Sequence, residues 1–335
     1  MLCGDDHGAV SSTNAHQTEF DLAAVGIPVL HPASVREYLD FGLLGFALSR
    51  FAGLWVGFKC LTQTVESSAT VSLPDAAASF ALPDVAMPRD GVHIRLRDPY
   101  LDAERRLMEV KLPAARAFVR ANGLDHTAFG AARPRLGLVT VGKSYGDVRQ
   151  ALAMLGLDAA RCRAIGLGVY KIAMPWPLDS EGLCAFAAGT AELLVVEEKR
   201  ALIEPQIKDA LFHMPADQRP RVVGKTDEAG AALLSAVGEL DASQIAAVIA
   251  ARLAPFHSDD ALQQRLDALG ARPAPPKIPA SVRTPYYCSG CPHNSSTRVP
   301  EGSRAGGGIG CHAIALGMPD RNTPTLTQMG GEGAP

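Results

Sequence analysis

The chain has 335 residues, 47% of them apolar and 20% charged, and a formal net charge of −3. That length suggests two or three domains, and the composition suits a globular protein with a sizeable core. The slight acidity argues against a nucleic-acid or membrane-surface protein, which would carry a basic face.

No run offers the roughly 20 clean apolar residues of a spanning helix. Phe41 to Phe58 comes nearest and is broken by Arg50 and several glycines. The start lacks a basic segment followed by an apolar stretch and a cleavage site, so no signal peptide is expected and a cytoplasmic protein is the default. Both ends read as cut. Met1-Leu2-Cys3-Gly4 runs at once into the polar Asp5-Asp6-His7-Gly8, and the chain stops in the glycine-rich Gly330-Gly331-Glu332-Gly333-Ala334-Pro335. The chain is therefore expected to be a fragment.

In chain order, Ile27–Leu30 reads as a short strand. Ser34 then caps a helix over Val35–Arg50, with Glu37 completing a capping box. Leu54–Phe58 reads as a buried strand, and the Pro- and Asp-bearing residues 74–100 as an irregular excursion. Strands are expected at Leu136–Val141, Ala164–Val169 and Leu193–Val196. Helices are expected from Asp147 to Leu155 and after Lys199. Such alternation implies a parallel sheet covered by helices. A more polar helical stretch, Asp227–Leu269, leads to a Pro-rich connector at 271–279.

Gly137-Leu138-Val139-Thr140-Val141-Gly142-Lys143-Ser144 satisfies the pattern G-x-x-x-x-G-K-[ST]. A phosphate cradle needs those intervening residues as an open loop, with its amides turned inward. Leu-Val-Thr-Val is instead the strand itself, so the nucleotide-binding reading is rejected.

Four of the seven cysteines (Cys3, Cys60, Cys162 and Cys184) are scattered among apolar residues, as buried thiols are. Cys288, Cys291 and Cys311 lie close together among Gly, Pro and His, which in a reducing compartment reads as metal binding before disulfide. The C-x-x-C spacing of Cys288 and Cys291 lets one tight loop bite a single centre. The glycine run Gly306–Gly310 before Cys311 lets the backbone approach a bulky group. Zinc needs four ligands, and His293 is a better candidate than His312, which adjoins Cys311. An iron–sulfur cube wants four cysteines, one of which would come from elsewhere. Both readings stay open on spacing alone.

Cys288-Ser289-Gly290-Cys291-Pro292-His293-Asn294, Gly308-Ile309-Gly310-Cys311-His312 and Gln328-Met329-Gly330-Gly331-Glu332-Gly333 together resemble the opening of the diphosphate-binding domain of indolepyruvate ferredoxin oxidoreductases. Gly4-Asp5-Asp6-His7, Ser11-Ser12-Thr13, His16-Gln17-Thr18-Glu19, Gly53–Gly57 and Thr64–Ser68 resemble the later part of that family's pyrimidine-binding domain. Val195–Lys199 is similar to part of its transketolase C-terminal-like domain.

The resemblance implies an α/β chain of thiamine-diphosphate-enzyme-type parallel-sheet domains, truncated at both ends. Residues 1–125 would be the C-terminal part of the pyrimidine-binding domain and 126–225 the transketolase C-terminal-like domain. Residues 226–282 would be a helical segment and linker, and 283–335 the start of the diphosphate-binding domain.

It also implies roles. Cys288, Cys291 and Cys311 would be three ligands of a [4Fe–4S] cluster, and Gly310 and His312 would lie against thiamine diphosphate. Ser12, Thr13, His16 and Gln17 would hydrogen-bond a 2-oxoacid. Read alone, Ser12 and Thr13 cap a helix and His16 and Gln17 satisfy a turn. The family's activating glutamate and the Gly-Asp-Gly loop that holds Mg2+ would lie outside the chain. Glu332 only superficially resembles that loop. The implied activity is oxidative decarboxylation of arylpyruvates to aryl-acetyl-CoA, with coenzyme A and ferredoxin as partners. The alternatives are a zinc-stabilised α/β binding protein and an inactive relic.

Overall fold

The computed structural model describes residues 1–327 apart from 11, 13, 74–79 and 271–282. The chain divides into two units, Met1–Arg272 and Pro273–Pro335.

The first unit opens with a parallel sheet of β1 (Leu2–Asp5), β2 (Val29–Leu30) and β3 (Gly57–Leu61) in the order β1-β3-β2. Parallel neighbours need long crossovers, and α1 (Glu19–Ala24) and α2 (Val35–Ala52) supply them. Ser34 caps α2 by accepting from the Glu37 amide at 3.3 Å. Only that half of the expected capping box is observed, because the Glu37 carboxylate takes the Ala33 amide (2.8 Å) and the Lys171 ammonium instead.

Gly53, at φ +66°, ends α2 in the left-handed conformation; a Cβ there would run into the Val92 carbonyl. The chain needs Leu54–Val56 to turn back to the sheet. The strand expected at Leu54–Phe58 therefore starts only at Gly57, and Trp55 stays exposed.

α3 (Thr62–Val65) follows, and residues 80–99 hold no helix or strand. α4 (Tyr100–Arg106), a π-helical turn (Leu107–Lys111) and α5 (Leu112–Ala121) come next. Ala115, Phe118 and Val119 of α5 pack with Phe41, Leu44 and Leu48 of α2 in one core.

The second sheet comprises β4 (His126–Gly130), β5 (Leu136–Val141), β6 (Leu167–Ile172), β7 (Glu192–Val196) and β8 (Arg221–Val223), in the order β4-β6-β5-β7-β8. All pairs are parallel except the edge pair β4–β6. The helices of this half are α6 (Gly142–Met154), α7 (Ala159–Ile165), α8 (Ser180–Ala187), α9 (Ile203–Phe212), α10 (Ala242–Leu253) and α11 (Asp260–Gly270). Leu136, Leu138, Val169, Leu194 and Val196 face Val148 and Leu152 of α6 and Ile245 and Ile249 of α10. Val139, Val141, Ile172, Leu193 and Val195 face Leu183 and Phe186 of α8 and Ile203 and Ile207 of α9. Burial on both faces is why β5, β6 and β7 read as mainly apolar runs, interrupted at Thr140, Lys171 and Glu192, rather than alternating ones.

Two expected boundaries move. α6 begins at Gly142, directly after β5, and Asp147 lies inside it, paired with Lys143 one turn back rather than capping. Ala164 and Ile165 form the last turn of α7, which Gly166 closes at φ +75°, so β6 covers Leu167–Ile172 instead of Ala164–Val169. The Pro-rich connector lies outside the described residues.

The two sheets are joined within this unit. The Val29 amide donates to the Trp176 carbonyl (2.8 Å) and the His31 amide to the Ala173 carbonyl (2.9 Å). Half-buried Asp125 holds that same segment by accepting from the Ala173 and Met174 amides at 2.7 and 3.3 Å.

The second unit is small. α12 (His293–Ser296), a parallel pair of β9 (Gly306–Gly307) with β10 (Thr325–Leu326), and 3-10 turns at Gly310–Gly317 and Pro319–Arg321 surround buried Tyr287, Thr297 and Arg321. No helix among the described residues is long and apolar enough to cross a membrane.

Candidate functional site

The carboxyl ends of parallel strands are where open α/β sheets bind ligands, because loops diverge there. In the first unit those ends carry the polar residues. β1 ends in Asp5 and continues into Asp6 and His7, and β2 leads into His31. β5 leads into Gly142 and Lys143, and β7 into Glu197, Glu198 and Lys199.

Asp5 accepts from the Thr18 amide (3.0 Å) and hydroxyl, with the buried Lys59 ammonium at 3.1 Å and His16 Nε2 at 4.0 Å. Asp6 accepts from the Val10 and Ser12 amides at 3.0 and 2.6 Å. Together these two carboxylates pin the backbone at Val10, Ser12 and Thr18, beside and within the segment from Ser11 to Glu19 that the resemblance places next to the substrate.

Within that loop the expected residues are engaged by the fold itself. The Ser12 hydroxyl donates to the Asn14 carbonyl at 2.9 Å. Thr13 lies outside the described residues. His16 presents Nδ1 to the Asn14 carbonyl (2.8 Å) and Nε2 to the Gly4 carbonyl (3.0 Å). Two acceptors favour a ring protonated on both nitrogens, and the Asn14 carbonyl foremost raises its pKa. Gln17 spends both ends of its amide on Arg200, donating to its carbonyl (3.1 Å) and accepting from its amide (3.2 Å). His16 and Gln17 thus act as turn- and loop-fixing groups, and Gln17 ties the first loop to the end of β7.

Beneath this rim lies a buried polar cluster that the sequence reading missed. Lys59 pairs with Asp5 and Glu19. Lys143 gives its three N–H bonds to Asp147 (3.0 Å), Glu198 (2.9 Å) and the Leu240 carbonyl (3.0 Å). It has no proton left for a phosphate, and the rejected nucleotide motif is a strand, a turn and a buried ion pair.

His7 sits 4.0 Å from Glu198, and its carbonyl accepts from Lys199 at 2.8 Å. Burial, with Lys59, Lys199 and Lys143 around it, holds its pKa down at about 2. His31 is held well below its ordinary value by burial and by the same kind of cationic surroundings. Neither ring has a hydrogen-bond partner among the described residues.

Glu197 accepts from the Leu202, Ile203 and Glu204 amides and so caps α9; burial pushes its carboxyl up to about 7. The available signals were a lysine inside each of two apolar strands and Asp-Asp-His at a strand end.

In the second unit Cys288 and Cys311 are exposed and Cys291 half-buried. Cys291 Sγ lies 3.3 Å from His293 Nδ1, and the His293 ring stacks on Tyr287 at 5.2 Å. His312 Nδ1 accepts from the Gly308 amide at 3.1 Å, which leaves the neutral ring's proton on Nε2. Gly290 and Gly310 take φ of +75° and +87°, with open space where a Cβ would lie.

No group of three His, Cys, Asp or Glu residues among the described residues converges on one point as a single metal ion requires. A zinc ion would need four such donors around itself. An iron–sulfur cube also gathers its thiolates around one group, a larger one than a single ion, with each thiolate on a different iron. Gln328–Gly333, Glu332 included, lies outside the described residues.

Residues 126–274 match the indolepyruvate oxidoreductase domain. The chain is 25% identical to indolepyruvate oxidoreductase subunit IorA of Pyrococcus abyssi, over 99% of this chain and 49% of the relative. It is 26% identical to IorA of Archaeoglobus fulgidus, over 95% of this chain and 48% of that one. The chain thus spans about half the length of the curated relatives it matches. Among solved structures, a 2-oxoglutarate:ferredoxin oxidoreductase from Magnetococcus marinus superposes with a TM-score of 0.47 at 13% identity, over 75% of this chain and 48% of that chain. A split-gene transketolase superposes with a TM-score of 0.42 at 13% identity, over 76% and 66%. Residues 126–274 thus match an indolepyruvate oxidoreductase domain, and the chain as a whole is similar to the IorA subunits nearly end to end.

Proposed function

We propose that this chain is part of a 2-oxoacid:ferredoxin oxidoreductase that oxidatively decarboxylates arylpyruvates such as indolepyruvate and phenylpyruvate to aryl-acetyl-CoA. Coenzyme A, ferredoxin and the remaining domains or subunits are its partners, and the cytoplasm is its place. The observation that carries the reading is the alignment with IorA subunits over 95–99% of the chain. The solvent-facing thiols of the second unit support it.

In this reading Cys288, Cys291 and Cys311 would hold three irons of a [4Fe–4S] cluster, with a fourth ligand from elsewhere. The cluster would supply one-electron transfer toward ferredoxin. Gly310 and His312 would lie beside thiamine diphosphate, which with Mg2+ supplies the decarboxylation chemistry. The chain's own contribution is placement: the glycine turns leave the backbone open, and the Gly308 amide fixes the His312 tautomer. Ser12, Thr13, His16 and Gln17 would form the substrate side as hydrogen-bonding groups for the 2-oxoacid.

Anaerobic reconstitution of the full chain with iron and sulfide tests this. About four irons and matching acid-labile sulfide per chain are expected, with loss in Cys288→Ser, Cys291→Ser and Cys311→Ser. The isolated chain is expected to show no arylpyruvate-dependent viologen reduction. A second reading, a zinc-stabilised α/β binding protein, draws on the Cys291–His293 contact. Stoichiometric zinc without labile sulfide would establish it instead.

A further inference from the structure

Among the described residues, Arg200 at the rim of the strand ends makes no ion pair. Arg200 follows β7 and is exposed. Its backbone is stapled at both the amide and the carbonyl by Gln17, 183 residues away. Its guanidinium lies over the Phe20 ring, 4.2 Å from the centroid. Among the described residues it has no carboxylate partner, whereas neighbouring Lys199 spends its ammonium on the His7 and Gly238 carbonyls.

A guanidinium stacked by one face on an aromatic ring keeps its N–H edges free in a fixed plane. That is the form in which arginine binds carboxylate or phosphate through two parallel bonds. Stacking alone would need no staple, and a solvated arginine would need neither. Here two elements distant in sequence fix both ends of one residue.

We propose that Arg200 is the oxyanion-binding group of this rim, taking the carboxylate or phosphate of a small anionic ligand against Phe20. Under the reading above, the carboxylate is that of the 2-oxoacid and the phosphate that of coenzyme A. The inference rests on that reading only for the ligands' names.

Titration calorimetry of the full chain with phenylpyruvate, coenzyme A and the neutral ketone phenylacetone tests it. At least one anion should bind, and phenylacetone should not. Arg200→Gln should weaken that anion about tenfold to a hundredfold, the worth of a charge-assisted bidentate contact. Arg200→Lys should fall between, since it keeps the charge but not the fork. Phe20→Leu should weaken binding with the charge intact.

An unchanged melting midpoint in Arg200→Gln separates loss of binding from loss of fold. Arg200-dependent binding of phenylpyruvate supports a substrate carboxylate, and Arg200-dependent binding of coenzyme A alone supports a phosphate. Binding of neither anion to the wild-type chain, or equal binding by wild type and Arg200→Gln, overturns the proposal. The cluster's iron and sulfide content is read separately and is unmoved by either result.

Discussion

Asp125 shows how a single buried carboxyl couples the chain's stability to pH. One oxygen accepts two backbone amides from the segment that docks β2, and the other has no partner among the described residues. Burial pushes its pKa up to about 7, so the folded chain keeps a proton that the unfolded chain loses at the ordinary carboxyl value of about 4. The folded pKa is the higher one. The contribution is therefore fully present below about pH 4, is lost as pH rises through 7, and stays lost above it. Asp125→Asn keeps the amide-accepting oxygen and removes the charge. Urea unfolding from pH 4 to 8 should show the wild type losing ground to the variant by up to about 1.4 kcal/mol per pH unit within that window. Parallel curves across the window would mean that Asp125 does not titrate there. His7 works in the opposite sense: its depressed pKa gives stability that is present above about 6.5 and lost on acidification.

At the scale of elements, the β5–α6 junction explains why the sequence mimics a phosphate loop. Gly142 takes φ +51°, and a Cβ there would fall on the His31 ring. The glycine is thus required twice, by its own backbone and by a histidine from another sheet. Gly142→Ala should cost roughly 2–4 kcal/mol, combining left-handed strain with overpacking. Adding His31→Ala should recover the steric part only, as chemical denaturation of the double variant would show. A Gly142→Ala chain as stable as wild type would refute the close packing.

Much of this level was legible in the sequence. Leu136–Val141 and Leu193–Val196 announce themselves as buried strands, and Ser34 caps its helix as the pattern requires. Boundaries slipped where a glycine in the left-handed region decided them, at Gly53 and Gly166, since an apolar run does not show where its turn falls. In the candidate site, the Cys288–Cys291 spacing was readable because it lies within one local turn. The buried cluster was not, because Lys59 finds Glu19 40 residues away and Lys171 finds Glu37 134 residues away. A lysine inside an apolar strand requires a partner, but local pattern does not say which one.

The Lys171–Glu37 pair belongs to the scale of the whole first unit, because it joins its two sheets. Lys171 sits on β6, nearly inaccessible, with its ammonium 4.8 Å from the Tyr145 ring centroid, while Glu37 belongs to the first turn of α2. The same seam carries the β2 hydrogen bonds to Ala173 and Trp176. Removing one partner leaves a charge without compensation, fully so for buried Lys171 and less so for Glu37, which is partly exposed. Glu37→Gln should therefore destabilise by about 3 kcal/mol or somewhat less, the lower end for a broken buried pair. Lys171→Met alone should cost less, because the carboxylate it strands can reach water and keeps the Ala33 amide. The double variant should be more stable than the sum of the two losses, giving a coupling of at least about 1 kcal/mol in a double-mutant cycle. Simple additivity would mean that the sheets are held by apolar packing and backbone bonds alone. Coupling would make the ion pair part of what sets one sheet against the other, and with it the relative placement of the Gln17–Arg200 rim and the strand ends beneath.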